Sequence, residues 1–179
     1  MHRYLVPIAV AAVVVAVGVV GLAVALVQPG DDANARAAAA DVPTEEEVAA
    51  VAAELGPVEV LRSESCGCCG GHVEHLGEAG FEVEEQVFAS EDAVPAVKRD
   101  LGIPEELWSC HTTMVDGYAV EGHVPADVIA TLHAQEWEVD GVALPGMPAG
   151  SPGMAGTKAE TWTFPTFAQG EVTEVLTQR

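Results

Sequence analysis

An uninterrupted apolar run from Leu5 to Val27 divides this chain before any other feature is read. It is longer than the about 7 to 15 residues of a signal-peptide core and reaches the roughly 20 that a membrane-crossing helix needs. Residues 1–27 are therefore expected to form a transmembrane helix. Arg3 precedes the run and Asp31-Asp32 follow it, which orients the N-terminus inside and the remainder outside. The rest of the chain is then extracytoplasmic and anchored to the cell membrane, or secreted if cleavage occurs near Ala33-Asn-Ala35.

Residues 28–43 mix Gly, Asp, Pro and Ala without apolar periodicity, as a flexible tether does. What remains, 44–179, has the size of one domain. Thr44-Glu-Glu-Glu47 has the form of a capping box, and Val48, Val51, Ala52 and Leu55 recur at helical spacing before Gly56-Pro57 stops the helix. Val58 to Leu61 is β-rich and leads through Cys66-Gly-Cys-Cys69 into a helical stretch from Gly71 to Ala79, which puts the cysteines on a strand-to-helix loop. Phe81 to Phe88 alternates as a strand, and Asp92 to Leu101 reads as a helix broken by Gly102-Ile-Pro104. Asp116-Gly117 between two β-rich runs is a hairpin signal, and Pro125 opens a helix running to about Glu136. Beyond a Gly/Pro/Met loop at 144–156, the runs Thr161 to Phe167 and Glu171 to Leu176 flank Gln169-Gly170 as a closing hairpin. Strands alternating with helices around one hairpin predict an α/β thioredoxin-like sandwich with a C-terminal β-hairpin extension.

Charge narrows the partners. With 28 acidic against 7 basic residues and a net charge of −21, nucleic acid and anionic membrane surfaces are repelled, while cations are not. The excess is spread along the chain, as on a solvated surface, and resembles the acidic surfaces of proteins from salt-loving organisms.

All four cysteines lie in the domain assigned outside the membrane, where thiols ordinarily pair into structural disulfides. Cys66, Cys68 and Cys69 point elsewhere, because adjacent sulfurs crowded on one turn of chain suit ligation better than stapling. Several thiolates within a few ångströms are what Cu(I) requires and, to a lesser degree, Zn(II). The positive end of the following helix favours the thiolate form. Cys110-His111, at the start of a strand, adds a fourth sulfur and an imidazole, and His123 is the next nitrogen candidate. His72 and His75 stand at i and i+3 behind the cysteines, positions that serve either the site or solvent. Met147 and Met154 occupy an irregular loop and no apolar helical stripe, and thioethers favour Cu(I) over zinc. The expected ligand set is Cys66, Cys68, Cys69, Cys110, His111, His123, Met147 and Met154, the expected metal is copper, with Cu(I) favoured, and no organic cofactor is expected.

Cys66-Gly-Cys-Cys69, Glu74-His-Leu76, Ser109-Cys-His-Thr112, Val120-Glu-Gly-His-Val-Pro125 and Pro145-Gly-Met-Pro-Ala-Gly-Ser-Pro-Gly-Met154 together resemble the CopG-like copper-resistance family from about Val58 to Met154. The resemblance implies a thioredoxin-like fold, an exported location, copper held as a multinuclear cluster on the Cys-x-Cys-Cys loop, and a role in copper handling. His72 stands where that family often carries Trp. The function expected is copper binding for resistance or homeostasis, with Cu(I)/Cu(II) interconversion and transfer to other exported copper proteins in view. Two other readings compete. A thiol-disulfide oxidoreductase would use the Cys66 to Cys69 spacing, with Cys68 intruding as a competing partner, and a structural zinc domain would leave the methionine loop without a purpose.

Overall fold

A computed structural model describes residues 42–90, 92–158 and 161–177, the side chains of 175–177 apart. The expected anchor, 1–27, and nearly all of the tether, 28–43, lie outside these residues. Among the described residues no helix is long and apolar enough to cross a membrane.

The domain starts where the capping box places it. Helix α1 (Glu45–Leu55) is opened by Thr44, whose Oγ1 accepts the Glu47 N–H at 3.3 Å while Glu47 Oε2 accepts the Thr44 N–H at 2.8 Å. Its Val48 and Ala52 are buried in the main core. There follow β1 (Val58–Ser63), α2 (Gly67–Glu78), β2 (Val83–Phe88), α3 (Ala93–Asp100), a 3-10 turn (Glu105–Leu107), β3 (His111–Val115), β4 (Tyr118–Gly122), α4 (Ala126–Ala134), β5 (Gly141–Leu144), β6 (Thr163–Ala168) and β7 (Glu171–Thr177). All seven strands form one sheet in the order β2-β1-β3-β4-β5-β6-β7. β1 is parallel to β2 and β4 to β5, and the other neighbours are antiparallel.

Two cores follow from the period of two along a strand. Val120 and Val142 face the larger core with Leu76, Ile129 and Phe164, whereas their neighbours Ala119 and Ala143 face a smaller one with Ile103, Leu107 and Phe167. β2 lies at the edge, and its exposed Glu84, Glu85 and Gln86 guard that edge against pairing with another chain. Asp116 and Gly117 both take positive φ, 46° and 87°, the turn that matches the twist of the β3–β4 hairpin.

The α/β class and the closing hairpin are as expected, but two boundaries differ and one strand was not anticipated. α2 begins at Gly67, so Cys68 and Cys69 belong to its first turn and Cys66 is its N-cap, whereas the sequence put all three on a loop. Glycines 67, 70 and 71 have low helix propensity, yet the buried stripe Cys69, His72 and Leu76 holds the turn helical by tertiary packing. β2 begins at Val83 because Phe81, directly after Gly80 at φ 99°, dips into the core. β5 is missing from the sequence reading because a four-residue strand buried throughout has no alternation to betray it. It pairs with β6, so the C-terminal hairpin continues the sheet.

Candidate metal centre

Sheet register assembles the site. Arg62 near the end of β1 pairs with His111 at the start of β3, and Thr112 pairs with Glu121 near the end of β4. Consequently the segment after β1 that carries Cys66, the residue before β3, Cys110, and the residue after β4, His123, meet at one end of the sheet. Gly122 makes the last step: at φ 79° it turns the chain, and a Cβ there would lie 2.7 Å from Ser109 Cβ and 2.8 Å from the Leu144 carbonyl oxygen.

The donor atoms of Cys66, Cys68, Cys69 and Cys110 all lie within 4.8 Å of one another. Cys68 Sγ is 3.7 Å from Cys66 Sγ and 3.8 Å from Cys110 Sγ. Cys66 and Cys69 are joined as a disulfide, and Cys68 and Cys110 are free thiols. A second group, Cys110, His111 and His123, converges within the same distance, with Cys110 Sγ 3.4 Å from His111 Nδ1 and 3.0 Å from His123 Nε2. Cys110 is common to both groups. His123 Nδ1 lies 2.6 Å from the Pro152 carbonyl oxygen; that oxygen can only accept, so the proton sits on Nδ1 and the Nε2 lone pair faces Cys110.

Burial, reinforced by Cys68, pushes the Cys110 thiol up to about 12, and burial drives His72 down to about 3. His111 falls well below the usual imidazole range, by burial first and then by His72 and His123. A protonated Cys110 thiol flanked by neutral imidazoles needs an incoming cation to displace its proton. The donor set fits a soft or borderline metal. Among the described residues, both ring nitrogens of His72 and Nε2 of His111 are buried without a hydrogen-bond partner, and unpaired buried polar atoms are costly.

Two solved structures are similar to this chain. One, titled copper resistance protein copG, form 2, is 41% identical, with a TM-score of 0.59 over 67% of this chain and 94% of that one. The other, form 1 under the same title, is 40% identical, with a TM-score of 0.60 over 68% of this chain and 95% of that one. The chain belongs to the CopG-like copper-resistance family. A family model described as a protein of unknown function, DUF411, matches residues 107–154, the span that holds Cys110, His111, His123 and both loop methionines. Comparison with curated proteins finds no match.

In this CopG-like chain a buried ion pair lies beneath the sulfurs, which sequence reasoning missed. Lys98 Nζ pairs with Glu121 Oε1 and donates to the Ser109 carbonyl at 2.7 Å. Glu121 in turn accepts the Ser109 N–H at 2.6 Å and the Thr112 hydroxyl at 2.6 Å. Ser109 and Thr112 bracket Cys110 and His111, so the pair fixes the backbone that presents them. Burial raises the Glu121 carboxyl and Lys98 opposes the rise. A lone glutamate in the apolar run around Val120 was the available signal, but its partner lies 23 residues away.

The CopG-like loop carrying the methionines is seated on the first turn of α2. A Cβ on Gly153 would come within 2.6 Å of both the Cys68 carbonyl oxygen and the His72 nitrogen, and one on Gly71 within 2.7 Å of Gly153 Cα. Met154, next in the chain, is half-buried; Met147 is 42% exposed with φ 48°. The structure thus draws the cysteine and histidine candidates together, sets Met154 beside the seated backbone and leaves Met147 facing solvent. It also separates His72 from His75. His75 Nε2 accepts the Ala126 N–H at 3.2 Å, capping α4, while His72 is fully buried 4.5 Å, ring to ring, from His111.

Proposed function

We propose that the protein binds copper outside the cytoplasm in copper resistance or homeostasis, holding Cu(I) on Cys66, Cys68, Cys69 and Cys110. The observation that carries this reading is the convergence of four sulfur donors within 4.8 Å, a soft donor set that suits Cu(I); the titles of both similar structures point the same way. His111 and His123 complete the set as nitrogen donors, with Met154 as an outer soft ligand. Donors in two groups sharing Cys110 favour more than one copper ion. Loading requires the Cys66–Cys69 disulfide to open: a thiol reductant supplies two electrons and two protons, giving two thiols whose protons the metal then displaces. Attachment to the membrane rests on the apolar run 1–27, and other exported copper proteins are the natural recipients of the ion. The β1 to β4 arrangement, parallel then antiparallel, supports a thioredoxin-like description of that part of the sheet.

The test is elemental analysis with X-ray absorption at the copper edge, on the wild type and on a variant with Cys66, Cys68 and Cys69 all replaced by Ser. Most of the sulfur ligation and most of the copper should disappear together, Cys110 being the one cysteine left. Undiminished stoichiometry in the variant, or oxygen-only ligation in the wild type, overturns the proposal. One observation favours a second reading, a thiol-disulfide oxidoreductase: the Cys66–Cys69 disulfide sits at a helix start. Against it, Cys68 Sγ is 3.7 Å from Cys66 Sγ and competes for any mixed disulfide. Robust insulin reduction by the metal-free protein is the result that would favour it.

A further inference from the structure

We propose that His72, His111 and His123 form a nitrogen-donor site for a divalent copper ion, joined to the sulfur cluster at Cys110. The inference rests on the copper reading for the identity of the metal, and adds His72 as a ligand together with a distinct place for the oxidised ion.

His72 is fully buried, and among the described residues neither of its ring nitrogens has a hydrogen-bond partner; Nε2 of His111, beside it, has none either. Neutral imidazoles left unpaired in this way are costly to the fold, and a metal ion that accepts the one lone pair each ring offers relieves part of that cost. Two of the three ring separations match a shared ion, and the third, His72 to His123, is wider than the tetrahedral spacing. With a metal–nitrogen bond of about 2.0 Å, and the ring centre a further ~1.2 Å along the same axis, two imidazoles on one ion have centres about 4.5 Å apart at a right angle and about 5.2 Å apart at the tetrahedral angle. The observed separations are 4.5 Å for His72 and His111, 4.9 Å for His111 and His123, and 5.7 Å for His72 and His123. Nitrogens of His111 and His123 already converge with the Cys110 sulfur within 4.8 Å. The His72 lone pair is aimed by rotation about χ2, a soft torsion. Imidazole is a borderline donor that suits divalent copper, whereas crowded thiolates suit Cu(I), so the halves of the centre differ in the oxidation state they hold.

The test uses the full chain with Cys66, Cys68 and Cys69 replaced by Ser, titrated in air with copper(II) chloride and, in parallel, with zinc chloride. Electron paramagnetic resonance with spin-echo modulation counts the imidazoles on the ion. The expected result is one Cu(II) per chain with three imidazoles, falling to two, with affinity at least ten-fold weaker, on adding His72→Phe. His72→Gln serves as the second variant if His72→Phe melts early by circular dichroism, and the imidazole count in the Cys-to-Ser background needs neither. Unchanged affinity and imidazole count without His72, or binding of zinc but not copper, overturns the inference. Anaerobic Cu(I) loading of the wild type and of His72→Phe tests the sulfur cluster separately: equal sulfur-bound copper in both is expected, and a loss of sulfur-bound copper in His72→Phe would put His72 in the sulfur cluster and overturn a distinct nitrogen site.

Discussion

Replacing Lys98 by Met is expected to cost about 3–5 kcal/mol of folding stability, the usual consequence of leaving a buried charge without its partner. The magnitude follows from the surroundings: side-chain exposure is 2% for Lys98 and 0% for Glu121, so water cannot take over the pairing. Once Lys98 is gone, Glu121 keeps the Ser109 N–H and the Thr112 hydroxyl but loses its cation and takes up a proton instead. With a urea m-value of about 2 kcal/mol/M, the midpoint should fall by roughly 2 M. Glu121→Gln should cost a comparable amount. The decisive measurement is the double variant, since two residues acting through one contact are not additive: Lys98→Met with Glu121→Gln should be at least about 2 kcal/mol more stable than the sum of the single effects allows. Strict additivity, or a single-variant loss below about 1 kcal/mol, would refute the role assigned to the pair. Copper affinity should drop in parallel, because Ser109 and Thr112 set the backbone on either side of Cys110 and His111.

Acid should weaken the metal-free protein early. In the unfolded chain His72 takes up a proton below its ordinary 6.5, whereas in the folded protein it stays neutral down to about 3; the unfolded state therefore binds more protons in between, and stability falls as pH falls through that window. Between neutral pH and pH 5 the loss from His72 alone is about 2 kcal/mol, measurable by urea unfolding at both values, and His72→Gln should flatten the profile. Gly153→Ala should cost at least about 1–2 kcal/mol, from its left-handed φ of 79° and the contacts at 2.6 Å, and should expose the 145–156 loop to limited proteolysis; an unaltered digestion pattern counts against the seating described. Protein prepared without reductant should take up far less Cu(I) than reduced protein, and equal uptake would exclude the disulfide as a gate.

How much was legible in the sequence depended on how local each signal was. The capping box at Thr44 and the Asp116-Gly117 hairpin are written in adjacent residues, and both form where they were read. Cys66, Cys68 and Cys69 declared themselves by crowding. The start of α2 was misplaced because three glycines say little about a turn held by a buried stripe and by a loop pressed on it from 80 residues further along. His72 and His75 could not be told apart, since helical spacing gives a face and says nothing of what covers it: Ala126 meets one, the other histidines meet the other. Lys98 and Glu121 were invisible for the same reason, each reading as another charge on a strongly charged chain.

The dependence of the site on sheet register has a consequence for its robustness. Side chains alternate across β3, so His111 faces the histidine cluster while Thr112 turns to Glu121 on the other side. A slip of one residue between β1 and β3 would exchange these directions, removing His111 from the metal centre and placing a hydroxyl there. Glu121, bonded at once to Ser109, Thr112 and Lys98, is satisfied in one register only, since any other leaves a buried carboxylate partly unpaired. The charge pair on one face of the sheet therefore selects the alignment that presents His111 on the opposite face. Gly122, by admitting the Ser109 side chain and the Leu144 carbonyl at close range, delivers His123 to the same place. In this light the cysteines and histidines far apart in sequence owe their meeting to a strand alignment that needs no metal to fix it.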